Sequence, residues 1–141
     1  MEKESLKKIL LVEDEKKIAD TLAKGLTELH YHVEIAYDGK IGLKLFLAKE
    51  FDLVISDINL PGMNGYDLCK AIRGRNQHIP LLMLTALGAT DDKIEGFDIF
   101  DLKEKMKIRE ISFKENLEVS ELEKFELLTN NLIDMKLFKE K

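Results

Sequence analysis

From residue 7 to about residue 98 the sequence alternates short apolar runs with stretches of helical period, and this alternation constrains the fold more than any other feature. A helix that returns the chain to a parallel neighbouring strand leaves the sheet buried on both faces. Strands in such a sheet read as unbroken apolar runs. Residues 8–12, 33–36, 51–56 and 80–84 read as four strands, the second short and the third a continuous apolar run. Between the first two, Ile18, Leu22, Leu26 and Leu29 form the stripe of an amphipathic helix over residues 16–29. The Tyr37-Asp38-Gly39 turn precedes a second helix whose inner face is expected at Ile41, Leu45 and Ala48. Leu60-Pro61-Gly62 breaks the chain before a helix over residues 65–73, and a shorter helix is expected over 91–97, capped by Thr90 or Asp91. The fold class is therefore α/β, a doubly wound parallel sheet.

After Asp98 the texture changes. Residues 102–109 are mostly charged, residues 106–113 have some strand character, and residues 117–138 read as a helix with apolar positions at Leu122, Phe125, Leu128, Leu132 and Met135. Ser120 with Glu123 makes a capping box for that helix. The expected organisation is a core over residues 1–98 and an atypical segment over 99–141. That segment either rebuilds a fifth strand and helix on its own sheet or serves as a fused, swapped or dimerising element.

A length of 141 residues suits one domain of ordinary size. With 22 Lys and Arg against 27 Asp and Glu, the net charge is -5, and no basic run offers a stripe for a phosphate backbone, which argues against direct nucleic-acid binding. The longest apolar runs fall far short of the roughly 18 residues of a membrane span. The charged start, Met1-Glu-Lys-Glu-Ser, lacks the apolar stretch of a secretory signal, so a cytoplasmic location is expected. Cys69 is the only cysteine, which excludes an internal disulfide and a cysteine metal cluster, and it is expected to be a packed helix residue.

The chemistry lies at strand ends. Glu13-Asp14 follows the first strand, Asp57 ends the third, and Thr85-Ala86 ends the fourth. In a parallel sheet the carboxyl ends of adjacent strands open onto one crevice. Taken singly these residues are ordinary: paired acids start helices, an Asp before a Pro-Gly turn is common, and a Thr often caps. Together they converge, and converging carboxylates repel unless a cation sits among them. Mg2+ meets that need, because it prefers oxygen ligands, takes one or two carboxylates and leaves positions for phosphoryl oxygens. Asp57 can then act as a nucleophile that forms an acyl phosphate, with Thr85 donating a hydrogen bond to a phosphoryl oxygen.

With these residues assembled, the chain resembles the receiver domain of bacterial two-component response regulators. The motifs are Ile9-Leu-Leu-Val-Glu-Asp-Glu15, Asp52-Leu-Val-Ile-Ser-Asp57 with Leu60-Pro-Gly-Met-Asn-Gly65, and Ile79-Pro-Leu-Leu-Met-Leu-Thr-Ala86, in family order. The resemblance implies a flavodoxin-like receiver fold with strand order 2-1-3-4-5. It implies that Asp57 takes a phosphoryl group from a histidine kinase or phosphotransfer protein, catalysing only its own phosphorylation and dephosphorylation. Asp14 and Asp57 would bind Mg2+ directly, Glu13 through water, and Asn59 through its backbone carbonyl. A downstream protein or a missing effector domain would read the resulting change of shape.

The sequence departs from the family in its last third. The family places a Lys-Pro pair at the end of strand five; counting on from Thr85 reaches Lys107, which Ile108 follows, with Lys103 and Lys105 on the same strand face as competitors. Glu104 stands where the family has its switch aromatic. These departures keep a second reading open, a receiver-derived interaction or dimerisation module without phospho-signalling, with a homodimer through residues 99–141. A third, an aspartyl phosphatase of the haloacid dehalogenase type, wants an Asp two residues after the nucleophile, where this chain has Asn59.

Overall fold

The computed structural model describes residues 7–87 and 108–114, together with Leu128 and Asn130. In chain order the elements are β1 (Lys8–Val12), α1 (Lys16–Glu28), β2 (His32–Ala36), α2 (Gly39–Ala48), β3 (Leu53–Asp57), α3 (Gly65–Arg75), β4 (Leu81–Leu87) and β5 (Ile108–Lys114). The five strands form one sheet in the order β2-β1-β3-β4-β5, and every pairing is parallel. The chain reverses direction of travel across the sheet between β1 and β3, which opens a crevice at their carboxyl ends.

Alternation along each strand divides the core in two. Ile9, Leu11, Leu53, Ile55, Leu82 and Leu84 pack on one face against Ile18, Leu22 and Leu26 of α1. Leu10, Val12, Val54, Leu81 and Met83 pack on the other, against Tyr66, Leu68, Cys69 and Ile72 of α3. Cys69 is buried with its Sγ 3.3 Å from Met83 Sδ, and burial pushes its thiol up to about 12, as suits a packing residue. Leu128 is helical, fully buried and part of the α1-side cluster, so at that position the C-terminal segment packs onto its own sheet.

Three expectations need adjustment. The second helix does not present Ile41 and Ala48 inward: both are exposed, and the buried positions of α2 are Gly39 and Gly42. A Cβ on Gly42 would sit 2.9 Å from Val12 Cγ2, so the helix reaches β1 by backbone approach, and a search for large apolar residues overlooks the face that does so. β4 runs past the expected Leu84 to Leu87, because it pairs with β5 along its full length. β3 starts later than expected and includes Asp57. The expected helix over 91–97, Lys103, Glu104, Lys105 and Lys107 lie outside the described residues.

α1 ends in a left-handed turn. His30 has φ of 70°, its N–H donates to the Thr27 carbonyl at 2.9 Å, and the Tyr31 N–H donates to the Leu26 carbonyl at 3.1 Å. Glycine normally fills this position, since a Cβ is strained there. His30→Gly is expected to raise stability by about 0.5–1 kcal/mol in urea melts, and unchanged or lowered stability would contradict the strain assignment.

Candidate metal centre

Register alone brings the acids together. Val12 pairs with Ser56, so the next residues, Glu13 and Asp57, leave adjacent strands side by side. One carboxylate oxygen from each of Glu13, Asp14 and Asp57 lies within 4.8 Å of the other two. Glu13 is buried, Asp57 half-buried and Asp14 exposed, so the cluster is a crevice with one open side.

Local bonds hold Glu13 and Asp57 in place. The Glu13 N–H donates to the Ala36 carbonyl at 3.0 Å, tying the residue to β2, and the Glu15 N–H donates to Glu13 Oε2 at 3.1 Å. The Ile58 N–H donates to the Leu84 carbonyl at 3.2 Å and continues the ladder one step past Asp57. The Asn59 N–H donates to Asp57 Oδ1 at 3.3 Å, and the Ser56 hydroxyl to the Asp57 carbonyl at 2.9 Å. The Ile58 carbonyl accepts from both Leu60 and Gly65, at 3.1 and 2.8 Å, which folds the loop tightly against the start of α3.

Electrostatics show the cost of this gathering. Burial first, and the Asp57 carboxylate second, push the Glu13 carboxyl up to about 8. The donor set is all oxygen and anionic, which suits a hard divalent cation such as Mg2+ rather than a thiolate- or imidazole-loving metal. A cation here would offset the Asp57 repulsion that adds to burial in raising Glu13.

Thr85 lies one residue beyond Leu84, which pairs with Asp57, so its backbone sits at the same end of the sheet, and it pairs with Ser112 of β5. Lys107 is outside the described residues; the strand after it begins at Ile108 and has Lys114 at its carboxyl end. The sequence reading placed Gly65 in a motif and at the start of a helix but gave it no role in the site. A Cβ there would collide with the Asp57 carbonyl oxygen and approach Met83 Cε to 2.5 Å and Ile58 Cα to 2.8 Å. The available signal was a glycine directly after Asn64, whose side chain accepts from the Asp67 N–H and caps α3.

The chain is similar to known proteins. Transcriptional regulatory protein CusR of Escherichia coli (strain K12) is 42% identical over 92 residues, 65% of this chain and 40% of CusR. Response regulator ArlR of Staphylococcus saprophyticus is 43% identical over 91 residues, 64% of this chain and 41% of ArlR. The match thus spans about 40% of the length of these relatives. Among solved structures, chemotaxis response regulator CheY4 of Vibrio cholerae superposes with a TM-score of 0.69 at 25% identity, covering 92% of this chain and 98% of CheY4. TrrA of Thermotoga maritima, solved in complex with Mg2+ and BeF, superposes at 0.63 with 26% identity, covering 90% of this chain and 99% of TrrA. Residues 9–100 match the family model described as response regulator receiver domain, and with the crevice carboxylates and strand order above, this chain belongs to that family.

Proposed function

We propose that this chain is a signalling switch that accepts a phosphoryl group on Asp57 from a histidine kinase or phosphotransfer protein, in a Mg2+-dependent reaction. One observation carries the reading: the carboxylate oxygens of Glu13, Asp14 and Asp57 lie within 4.8 Å of one another. Asp14, Asp57 and the Asn59 carbonyl would hold Mg2+ directly and Glu13 through water. When bound, the ion supplies charge neutralisation for the phosphoryl oxygens. An Asp57 carboxylate oxygen attacks phosphorus, the bond from phosphorus to the donor breaks with its electron pair, and a mixed anhydride forms. Thr85 donates a hydrogen bond to the transferred group, and a lysine from the strand-five region, Lys107 in the sequence reading, balances its charge. Water later attacks phosphorus and releases inorganic phosphate, so the chain acts only on itself. Residues 1–98 serve as receiver core, and the segment after them supplies β5 at the edge of its sheet. The setting is cytoplasmic, and the output passes to a downstream protein or effector domain. Among the described residues no helix is long and apolar enough to cross a membrane.

The test is intact mass spectrometry after incubation with acetyl phosphate. One phosphoryl adduct with Mg2+, lost with EDTA, is the expected result. No adduct under either condition overturns the reading and leaves an interaction module.

Protons compete with the metal. In metal-free buffer the folded state keeps a proton on Glu13 that the unfolded chain releases above 4.5, so stability falls as pH rises from 4.5 through about 8. The slope is at most one proton, about 1.4 kcal/mol per pH unit. Saturating Mg2+ is expected to flatten this fall and to bind more tightly at higher pH. Thermal melts across the range, with and without Mg2+, check both; a flat metal-free profile would contradict the strained cluster.

A further inference from the structure

We propose that the outer face of α2 is a docking surface for an acidic amphipathic helix of a partner protein. Three observations converge on it. First, the exposed large hydrophobic residues among the described residues are Tyr37, Ile41 and Leu47, at 40%, 45% and 50% exposure, all within α2 or the turn that leads into it. Isolated exposed apolar residues need no explanation, but a cluster confined to one helix marks a contact surface.

Second, the charge of this face runs against the charge of the chain. The whole sequence has a net charge of -5, yet α2 contains Lys40 and Lys44 and no acidic residue. Both lysines are exposed, and neither is in an ion pair among the described residues, whereas Lys49 just beyond is held by Glu34 at 2.6 Å. Lys40, Lys44 and Leu47 follow one another at i, i+4 and i+7, and Ile41, Lys44 and Ala48 at i, i+3 and i+7. The outer face is therefore a central pair of unpaired cations with an apolar residue on either side. A helix with carboxylates along its middle and leucines beside them is its electrostatic and apolar complement.

Third, the surface has relief. The stripe runs at its C-terminal end into a shallow hollow of about 550 Å3, where Leu47 and Ala48 meet polar groups of both signs, Lys8, His32 and Lys49 with Glu34 and Glu50. A partner side chain can seat there with its apolar part against Leu47 and Ala48, which a flat face would not allow. The chain's own C-terminal segment is not the occupant at the described position, because Leu128 packs in the α1-side cluster on the opposite face of the sheet.

The test uses fluorescence anisotropy with a labelled synthetic helix carrying Glu along its centre and Leu on both flanks, and a second peptide with Lys in place of each Glu. The acidic peptide is expected to bind the full chain at least about tenfold more tightly than the basic one. Lys40→Glu with Lys44→Glu, and separately Ile41→Ser with Leu47→Ser, should each weaken that binding about tenfold. These surface changes leave the fold intact, which circular dichroism and melting temperature verify. Equal binding of both peptides, or no loss in either double variant, overturns the proposal. So does an analytical ultracentrifugation or vesicle-flotation result in which the same variants abolish self-association or binding to anionic phosphatidylglycerol vesicles while peptide binding is unchanged.

Discussion

Replacing Asp57 with asparagine is expected to abolish phosphoryl uptake from acetyl phosphate and, in metal-free buffer at pH 7–8, to make the protein more stable. Both effects come from one carboxylate. The amide is close to the same shape but has no anionic oxygen to attack phosphorus, so the adduct disappears from the mass spectrum. Asp14 and Glu13 do not substitute. Glu13 is buried, with Oε2 engaged by the Glu15 N–H, and Asp14 is needed as a metal ligand in the proposed arrangement. The stability gain follows from Glu13, whose carboxyl is raised by burial and then by the Asp57 charge. Removing that charge lowers Glu13 toward its ordinary value and recovers on the order of 1 kcal/mol, the equivalent of one pKa unit. With saturating Mg2+ the ranking reverses, because the wild type gains from the ion and the variant has lost a ligand. Paired urea melts read both regimes. A variant that still takes up phosphate, or that is less stable without metal, would contradict the assignment.

Gly65→Ala is expected to destabilise the protein by about 1–3 kcal/mol and to slow phosphoryl uptake at least about tenfold. The usual expectation has the opposite sign, since alanine in a helix is favoured over glycine by about 0.5–1 kcal/mol. Packing decides the outcome. The new methyl would meet the Asp57 carbonyl and Ile58 Cα, which are backbone atoms at the end of a central strand, and Met83 Cε, the one neighbour able to move. Relief therefore requires the β3–α3 loop to shift, and that loop carries Asn59 and begins directly after Asp57, the last residue of β3. A displacement of about 1 Å at a reacting group can cost about a hundredfold in rate. Urea denaturation and the initial rate of adduct formation measure the two parts. Raised stability with an unchanged rate would show that the loop yields freely.

These cases explain why some of the molecule was legible in the sequence and some was not. The first strand and the cores of the third and fourth were readable because two buried faces demand apolar runs, and the acids at their ends are located by strand order alone; the edge strand at 33–36 was readable from its place between two helical patterns. α2 was misread at Ile41 and Ala48 because its contact with β1 runs through Gly42, and a residue without a side chain leaves no hydrophobic signal. The role of Gly65 in the site escaped for the same reason. β5 was seen only as weak strand character, since Arg109, Glu110 and Lys114 are tolerated on an edge strand but carry no register; pairing from Leu81↔Ile108 to Leu87↔Lys114 supplies it. The cost at Glu13 depends on depth and on the distance to Asp57, neither of which is written in the order of residues.

The central claim is that acids from two neighbouring strands hold one divalent ion. Crystals grown with Mn2+ in place of Mg2+ test it through the anomalous signal of the metal. The account predicts a single strong peak in direct coordination with carboxylate oxygens of both Asp14 and Asp57. A peak bound to only one of them, or no peak in the crevice at saturating Mn2+, would contradict it.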